Sequence, residues 1–168
     1  MQIPEKKISR IIPDWDTIKN FPQPLTDGEI NLIKYLDENL QIDIFFHSER
    51  KLIDYNGWLI FVQPYLNGSR PDIIIFHPKV GVQIFEVKDW ELNHYNFQKD
   101  NKGKLYFYVS DSRGNYQIKS PKKQVEYYKK KLTGVLIPNI GEKIDESSRN
   151  YGLIKTAVYF DNASTQRV

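Results

Sequence analysis

The stretch Arg70–Trp90, RPDIIIFHPKVGVQIFEVKDW, constrains the fold more than any other part of the chain. Two apolar runs, Ile73–Phe76 and Val82–Phe85, flank a His-Pro-Lys-Val-Gly segment. That pattern reads as two strands joined by a short hairpin loop. With the loop set at His77–Gly81, Phe76 falls opposite Val82, Ile74 opposite Ile84, and Asp72 opposite Glu86. Directly opposed residues of an antiparallel pair share a sheet face, and Lys88, two beyond Glu86, shares it too. Register alone therefore gathers Asp72, Glu86 and Lys88 at one end of an otherwise apolar hairpin. An E-x-K triplet by itself is common on solvated strand faces. Here, however, Ile73, Ile75, Phe85 and Val87 alternate with Ile74, Phe76, Val82 and Ile84, so both faces are apolar. Such strands lie in the middle of a covered sheet. Charges at their ends are costly unless paired, metal-bound or facing a cleft. Two carboxylates so close repel unless something positive lies between them, and a divalent cation beside Lys88 meets that need.

The 168 residues suit one domain with a real core. Residues 1–25 carry four prolines and little periodicity, and read as an arm docked by Ile11, Ile12 and Trp15. The domain proper is expected over residues 26–168. Thr26–Leu40 reads as a helix, with Thr26 and Glu29 at capping-box spacing and Ile33, Leu36 and Leu40 on one face. Glu29 lies within about 40° of that stripe. Before any resemblance is considered, capping is the better reading of it. Gln41–His47 and Gly57–Val62 are expected strands joined by a polar stretch, Ser48–Asn56, with a turn at Asn67-Gly68. Leu105–Val109 is a strand, and Tyr116–Lys119 completes a second hairpin. Ser120-Pro121 opens a helix that ends at Thr133-Gly134, with Val125, Tyr128 and Leu132 as its buried stripe. Gln124 stands four residues before Tyr128, so the two side chains stack along the inward edge. A long connection then leads to the strand Leu153–Phe160, parallel to a neighbour. The chain stops eight residues later, as the N-terminal portion of a longer chain would.

Net charge is only +3, but Lys88–Lys131 holds eleven Lys or Arg against five Asp or Glu. A basic segment on a near-neutral chain is a footprint of polyanion binding, although lysine-rich solvated faces look the same. Aromatics interleaved with those lysines can stack on bases while the lysines hold phosphates. There is no cysteine, which excludes disulfides and thiolate zinc sites and fits the cytoplasm. No run of 18 apolar residues is present, so no membrane span is expected. His47, His77 and His94 show no ligand spacing and read as turn or surface residues.

The order of Gly28-Glu29, Pro71-Asp72, Glu86-Val87-Lys88 with Trp90 close behind, and Gln124-x-x-x-Tyr128 resembles the PD-(D/E)xK nuclease superfamily. More narrowly it resembles the nuclease-related domain, over roughly residues 26–160. The resemblance implies an α/β (α+β) fold, a restriction-endonuclease-like αβββαβ core with a central mixed sheet flanked by helices. It implies that Asp72, Glu86 and the Val87 carbonyl hold Mg²⁺ or Mn²⁺, with Glu29 binding directly or through water. Lys88 would orient or help deprotonate the attacking water and stabilise the transition state. Gln124 and Tyr128 would line the cleft. Lys99, Lys102, Lys104, Lys119, Lys122, Lys123 and Trp90 are the expected nucleic-acid contacts, with DNA favoured over RNA and little base specificity. Such domains are often joined to helicase modules, so a helicase partner, a homodimer, and a role in DNA processing or phage defence are expectations of the same resemblance. The competing readings are a non-catalytic nucleic-acid-binding adaptor and a protein-interaction domain.

Overall fold

The structure is a computed structural model that describes residues 9–40, 44–46, 53–55, 57–90, 94–136 and 150–162. In chain order the elements are β1 (Ile11–Ile12), α1 (Trp15–Ile18), α2 (Asp27–Asn39), β2 (Ile44–Phe46), β3 (Ile53–Tyr55), β4 (Leu59–Val62), β5 (Ile73–His77) and β6 (Gly81–Lys88). Then follow β7 (Tyr95–Lys99), β8 (Leu105–Asp111), β9 (Gly114–Ile118), α3 (Pro121–Lys131) and β10 (Ile154–Phe160). His47 and most of the connection after Gly134 lie outside the described residues.

Five strands form the central mixed sheet in the order β1-β4-β5-β6-β10. The β5–β6 hairpin takes the register its alternation requires, with Ile74 opposite Ile84 and Phe76 opposite Val82. β4 is antiparallel to β5, whereas β10 runs parallel to β6 and β1 parallel to β4. The α2-β4-β5-β6-α3-β10 order is the αβββαβ core expected from the sequence.

Each face of the sheet carries its own core. Leu32, Ile33 and Leu36 of α2 pack on Ile60, Val62, Ile73, Ile75 and Val87. Tyr128 of α3, and Leu132 just beyond it, pack on Ile74, Ile84 and Ile154 from the other side. Ile33, Ile60, Ile73 and Ile84 are fully buried. Each such side chain contributes about 1.5–3 kcal/mol relative to exposure. Because successive side chains alternate between faces, Ile84, Glu86 and Lys88 all look toward α3.

Local chemistry explains both helix starts. Thr26 and Glu29 form a full capping box on α2. Ser120 caps α3, Pro121 opens it, and Lys129–Lys131 complement its C-terminal dipole. α3 does not stop at Thr133-Gly134 as expected; it widens into a π-helical turn, Leu132–Leu136. There the Thr133 hydroxyl donates to the Lys129 and Lys130 carbonyls.

Four strands depart from the sequence expectations. β3 lies within the stretch expected to be a polar connection, and pairs with β2. β7 joins β8 and β9 in a separate three-stranded sheet. β1 lies in the expected arm, where Ile11 is buried and Trp15 packs on the core while Ile12 is exposed. β9 begins at Gly114, two residues before the expected start at Tyr116. Among the described residues no helix is long and apolar enough to cross a membrane.

Candidate active site

The C-terminal end of β6 and the start of β5 bring the acidic residues together. Asp72 Oδ2 accepts a 2.6 Å hydrogen bond from the Val87 N–H. In an extended strand a residue's N–H and C=O point to the same edge, so the Val87 carbonyl also faces the Asp72 side. Glu86 is 2 % exposed. Its Oε1 accepts from Lys88 Nζ at 2.5 Å, while Oε2 is buried with no partner among the described residues. From α3, Gln124 Nε2 donates to the Tyr128 hydroxyl at 2.9 Å. The structure therefore unites Asp72, Glu86, Val87, Lys88, Gln124 and Tyr128 at one end of the sheet.

Glu29 reaches this end from the opposite layer. It is buried, and both oxygens accept hydrogen bonds: Oε2 from the Thr26 N–H at 2.8 Å, and Oε1 from Gln63 Nε2 at 2.7 Å. Capping and site placement are thus one arrangement rather than alternatives. Gly28 makes it possible, because a Cβ there would stand 2.0 Å from Asp89 Oδ1 and 3.1 Å from a Val87 methyl.

Gln63 is the residue that sequence reasoning missed. It follows β4 with φ of 44°, a left-handed conformation uncommon for a residue with a side chain. Its backbone N–H donates to the Asp72 carbonyl at 2.8 Å, and its side-chain Oε1 is buried without a partner among the described residues. One residue thereby ties β4, the Asp72 backbone and Glu29 together. The only sequence signal was a polar residue directly after an apolar strand.

The electrostatics follow from burial. Burial first, then the charges of Glu86 and Glu29, push Asp72 up to about 7, against the pull of the Val87 N–H and Lys88. Burial also raises Glu86, and Lys88 partly offsets that. Burial raises Tyr128, and the negative charges of Glu86 and Asp72 push the same way against the Gln124 bond.

These residues fit a hard divalent cation in one particular manner. Among the described residues no three His, Cys, Asp or Glu side chains are grouped to hold a metal. Mg²⁺, however, is usually held by one or two carboxylates and keeps several waters. Asp72, the open Oε2 of Glu86 and the Val87 carbonyl supply such a set of oxygens.

A cleft of about 980 Å³ opens beside this end, between α3 and the β7–β9 sheet. Gln124 and Tyr128 line it, as do Lys104, Lys119 and Lys123 from the expected nucleic-acid contacts. Lys99, Lys102, Lys122 and Trp90 do not line it. Trp90 stacks on Tyr95 at 4.2 Å and packs against Phe160, so its ring is spent on packing. Lys122 instead stands 3.9 Å from Glu126 on the exposed side of α3. Arg70, which the sequence reading had not singled out, joins the lining.

The family model for the nuclease-related domain matches residues 26–160. No curated protein and no solved structure matches the chain. The sheet end, the two helices that cover it and Gly28-Glu29 all fall within the matched span, and the chain belongs to the nuclease-related domain family.

Proposed function

We propose that this domain hydrolyses phosphodiester bonds of nucleic acid, DNA in the first place, with low sequence specificity and with Mg²⁺ or Mn²⁺ as cofactor. One observation carries the reading. Among the described residues Glu86 has a buried, unpartnered oxygen beside Asp72, whose carboxyl burial pushes up to about 7, and Tyr128, which feels both charges, lines a cleft rich in cations.

Hydrolysis joins a water oxygen to phosphorus, breaks one P–O ester bond and leaves a proton on the departing oxygen. A cation held by Asp72, Glu86 and the Val87 carbonyl would neutralise phosphate charge and make water a better nucleophile. Lys88, held beside Glu86, places a positive charge where the phosphoryl oxygens become more negative. Glu29 and Gln63 hold the Asp72 end of the site in position. Gln124 and Tyr128 present a hydroxyl and an amide at the join of site and cleft. Lysines that contact phosphates carry no base information, hence the low specificity.

The test is a plasmid and oligonucleotide cleavage assay in Mg²⁺ or Mn²⁺, with Glu86→Ala and Lys88→Ala beside the wild type. Cleavage lost in both folded variants supports the nuclease; cleavage retained in both refutes this site. A second reading, a non-catalytic binding adaptor, is favoured by one fact: both Glu29 oxygens are already engaged, leaving two acidic side chains for the cation. Nucleic-acid binding without turnover in either metal would select it.

A further inference from the structure

We infer that the cleft between α3 and the β7–β9 sheet takes single-stranded nucleic acid, with bases stacked on Tyr127 and Tyr106 and phosphates held by Arg70, Lys104, Lys119 and Lys123. The inference rests on the proposed function above and names the substrate form that reaches the same site.

The charge of the cleft points to a polyanion. Among the described residues its lining includes Arg70, Lys104, Lys119 and Lys123 and no Asp or Glu. All four cations are exposed, and among the described residues none of them is in an ion pair. Charge alone would serve a duplex equally well, since phosphates are common to both forms.

The rings decide between them. Tyr127 is 51 % exposed, and its hydroxyl is held by Ser69 and Lys131. Lys131 Nζ lies 5.2 Å from that ring's centre and also donates to the Asn67 carbonyl at 2.7 Å. The Asn67-Gly68 turn is itself closed by paired Leu66 and Ser69 backbone bonds. Tyr127 is therefore anchored at its far end and open along its side. Tyr106, on the opposite wall, is half-buried and anchored in a similar manner. Its hydroxyl donates to Asp100 Oδ2 at 3.3 Å, and Lys104 Nζ lies 4.9 Å from its ring centre. Asp100 is in turn fixed by the Lys102 and Lys104 N–H groups. Each ring is thus fixed in place with a lysine ammonium over it. Aromatic platforms reward only bases that are free to leave their own stack, which a duplex does not offer. Gln124 and Tyr128 line the same cleft, and the charges of Glu86 and Asp72 reach Tyr128, so a strand lying along the cleft passes beside the two carboxylates.

The experiment is binding in EDTA, which removes cleavage from the readout. Fluorescence anisotropy would follow an oligo(dT), an oligo(U) and a blunt duplex of equal length, with wild type, Tyr127→Ala, Tyr127→Phe and Lys119→Ala. Single strands should bind about tenfold or more tighter than the duplex, and Tyr127→Ala should remove about tenfold from single strands alone. Tyr127→Phe, which keeps the ring, should retain most of the affinity. Lys119→Ala should weaken both forms and lower the single-strand salt slope by about 0.7. The oligo(dT) and oligo(U) arms report which sugar is preferred. A duplex bound as tightly as single strands, or Tyr127→Ala binding them like the wild type, overturns the inference. Single-strand preference without cleavage in metal would refute the nuclease and leave this inference standing. Cleavage with duplex preference would do the reverse.

Discussion

At the scale of single residues, Asp72 couples stability to pH. Its carboxyl sits at about 7 in the fold against an ordinary value of 3.8. The folded chain thus binds more protons than the unfolded chain between those values. The contribution is fully present below about pH 4 and is lost as pH rises through 7, up to roughly 4 kcal/mol in the cation-free protein. Asp72→Asn keeps an acceptor for the Val87 N–H and carries no charge. It should raise the melting temperature in EDTA at pH 8 and flatten the pH dependence, while Mn²⁺ binding is lost. An unchanged slope would show that Asp72 is not the group responsible. A cation must displace that proton, so Mn²⁺ binding near pH 6 should release close to one proton. Calorimetry in buffers of differing ionisation enthalpy reads this directly. Gln63 offers a second test. Gln63→Ala leaves Glu29 Oε1 without its partner and keeps the left-handed backbone, costing about 1–3 kcal/mol. Gln63→Gly loses the same bond but relieves the backbone, and should be about 1 kcal/mol milder in urea unfolding. The sequence concealed Gln63 because a following proline argues for extended backbone, the opposite of its φ of 44°.

At the scale of elements, α2 depends on a missing side chain. Gly28 would gain about 1 kcal/mol of helix propensity as Ala. The added Cβ, however, would meet Asp89 Oδ1 at 2.0 Å, Asp161 Cβ at 3.0 Å and Val87 Cγ1 at 3.1 Å. Overpacking of this kind costs about 1–3 kcal/mol, so Gly28→Ala should lower the urea midpoint despite the better propensity. Adding Asp89→Ala should recover part of the loss; a stabilised single variant would refute the close approach. The strands show where local reading succeeds and fails. β5 and β6 were legible because eight apolar residues alternate across a clear turn. β3, Ile-Asp-Tyr, and β7, Tyr-Asn-Phe-Gln-Lys, are short and mixed in polarity. Their strand state comes from partners, β2 and β8, that local periodicity does not identify.

At the scale of the whole molecule, the family match begins at residue 26, yet the fold begins earlier. β1 adds the outer strand beside β4, and Ile11 and Ile18 are buried in the α2-side core. Arg10, also buried, donates to Asp37 at 2.6 Å and to the Leu40 carbonyl at 2.7 Å, which satisfies the end of α2. A chain starting at Thr26 loses two buried isoleucines worth about 1.5–3 kcal/mol each, and bares the edge of β4. Its unfolding free energy in urea should fall by that order, and size-exclusion chromatography should show association. Equal stability would mean that residues 9–25 only decorate the core.

The sequence by itself determined the hairpin and its register, the two capped helices with their inward faces, and hence the meeting of Asp72, Glu86 and Lys88. All of these follow from periods of 2 and 3.6 residues, which side-chain burial enforces locally. It also placed Gln124 and Tyr128 on one edge of α3, since four residues make one helical turn. Only the tertiary structure decided that Glu29 caps its helix while reaching Gln63, and that Arg70 and three of the expected lysines share a cleft. The same holds for Trp90, which packs against Tyr95 and Phe160 outside that cleft. These outcomes depend on how separate layers dock. The pairing of α3 with a distant sheet is selected by packing across the chain, and no local pattern records it.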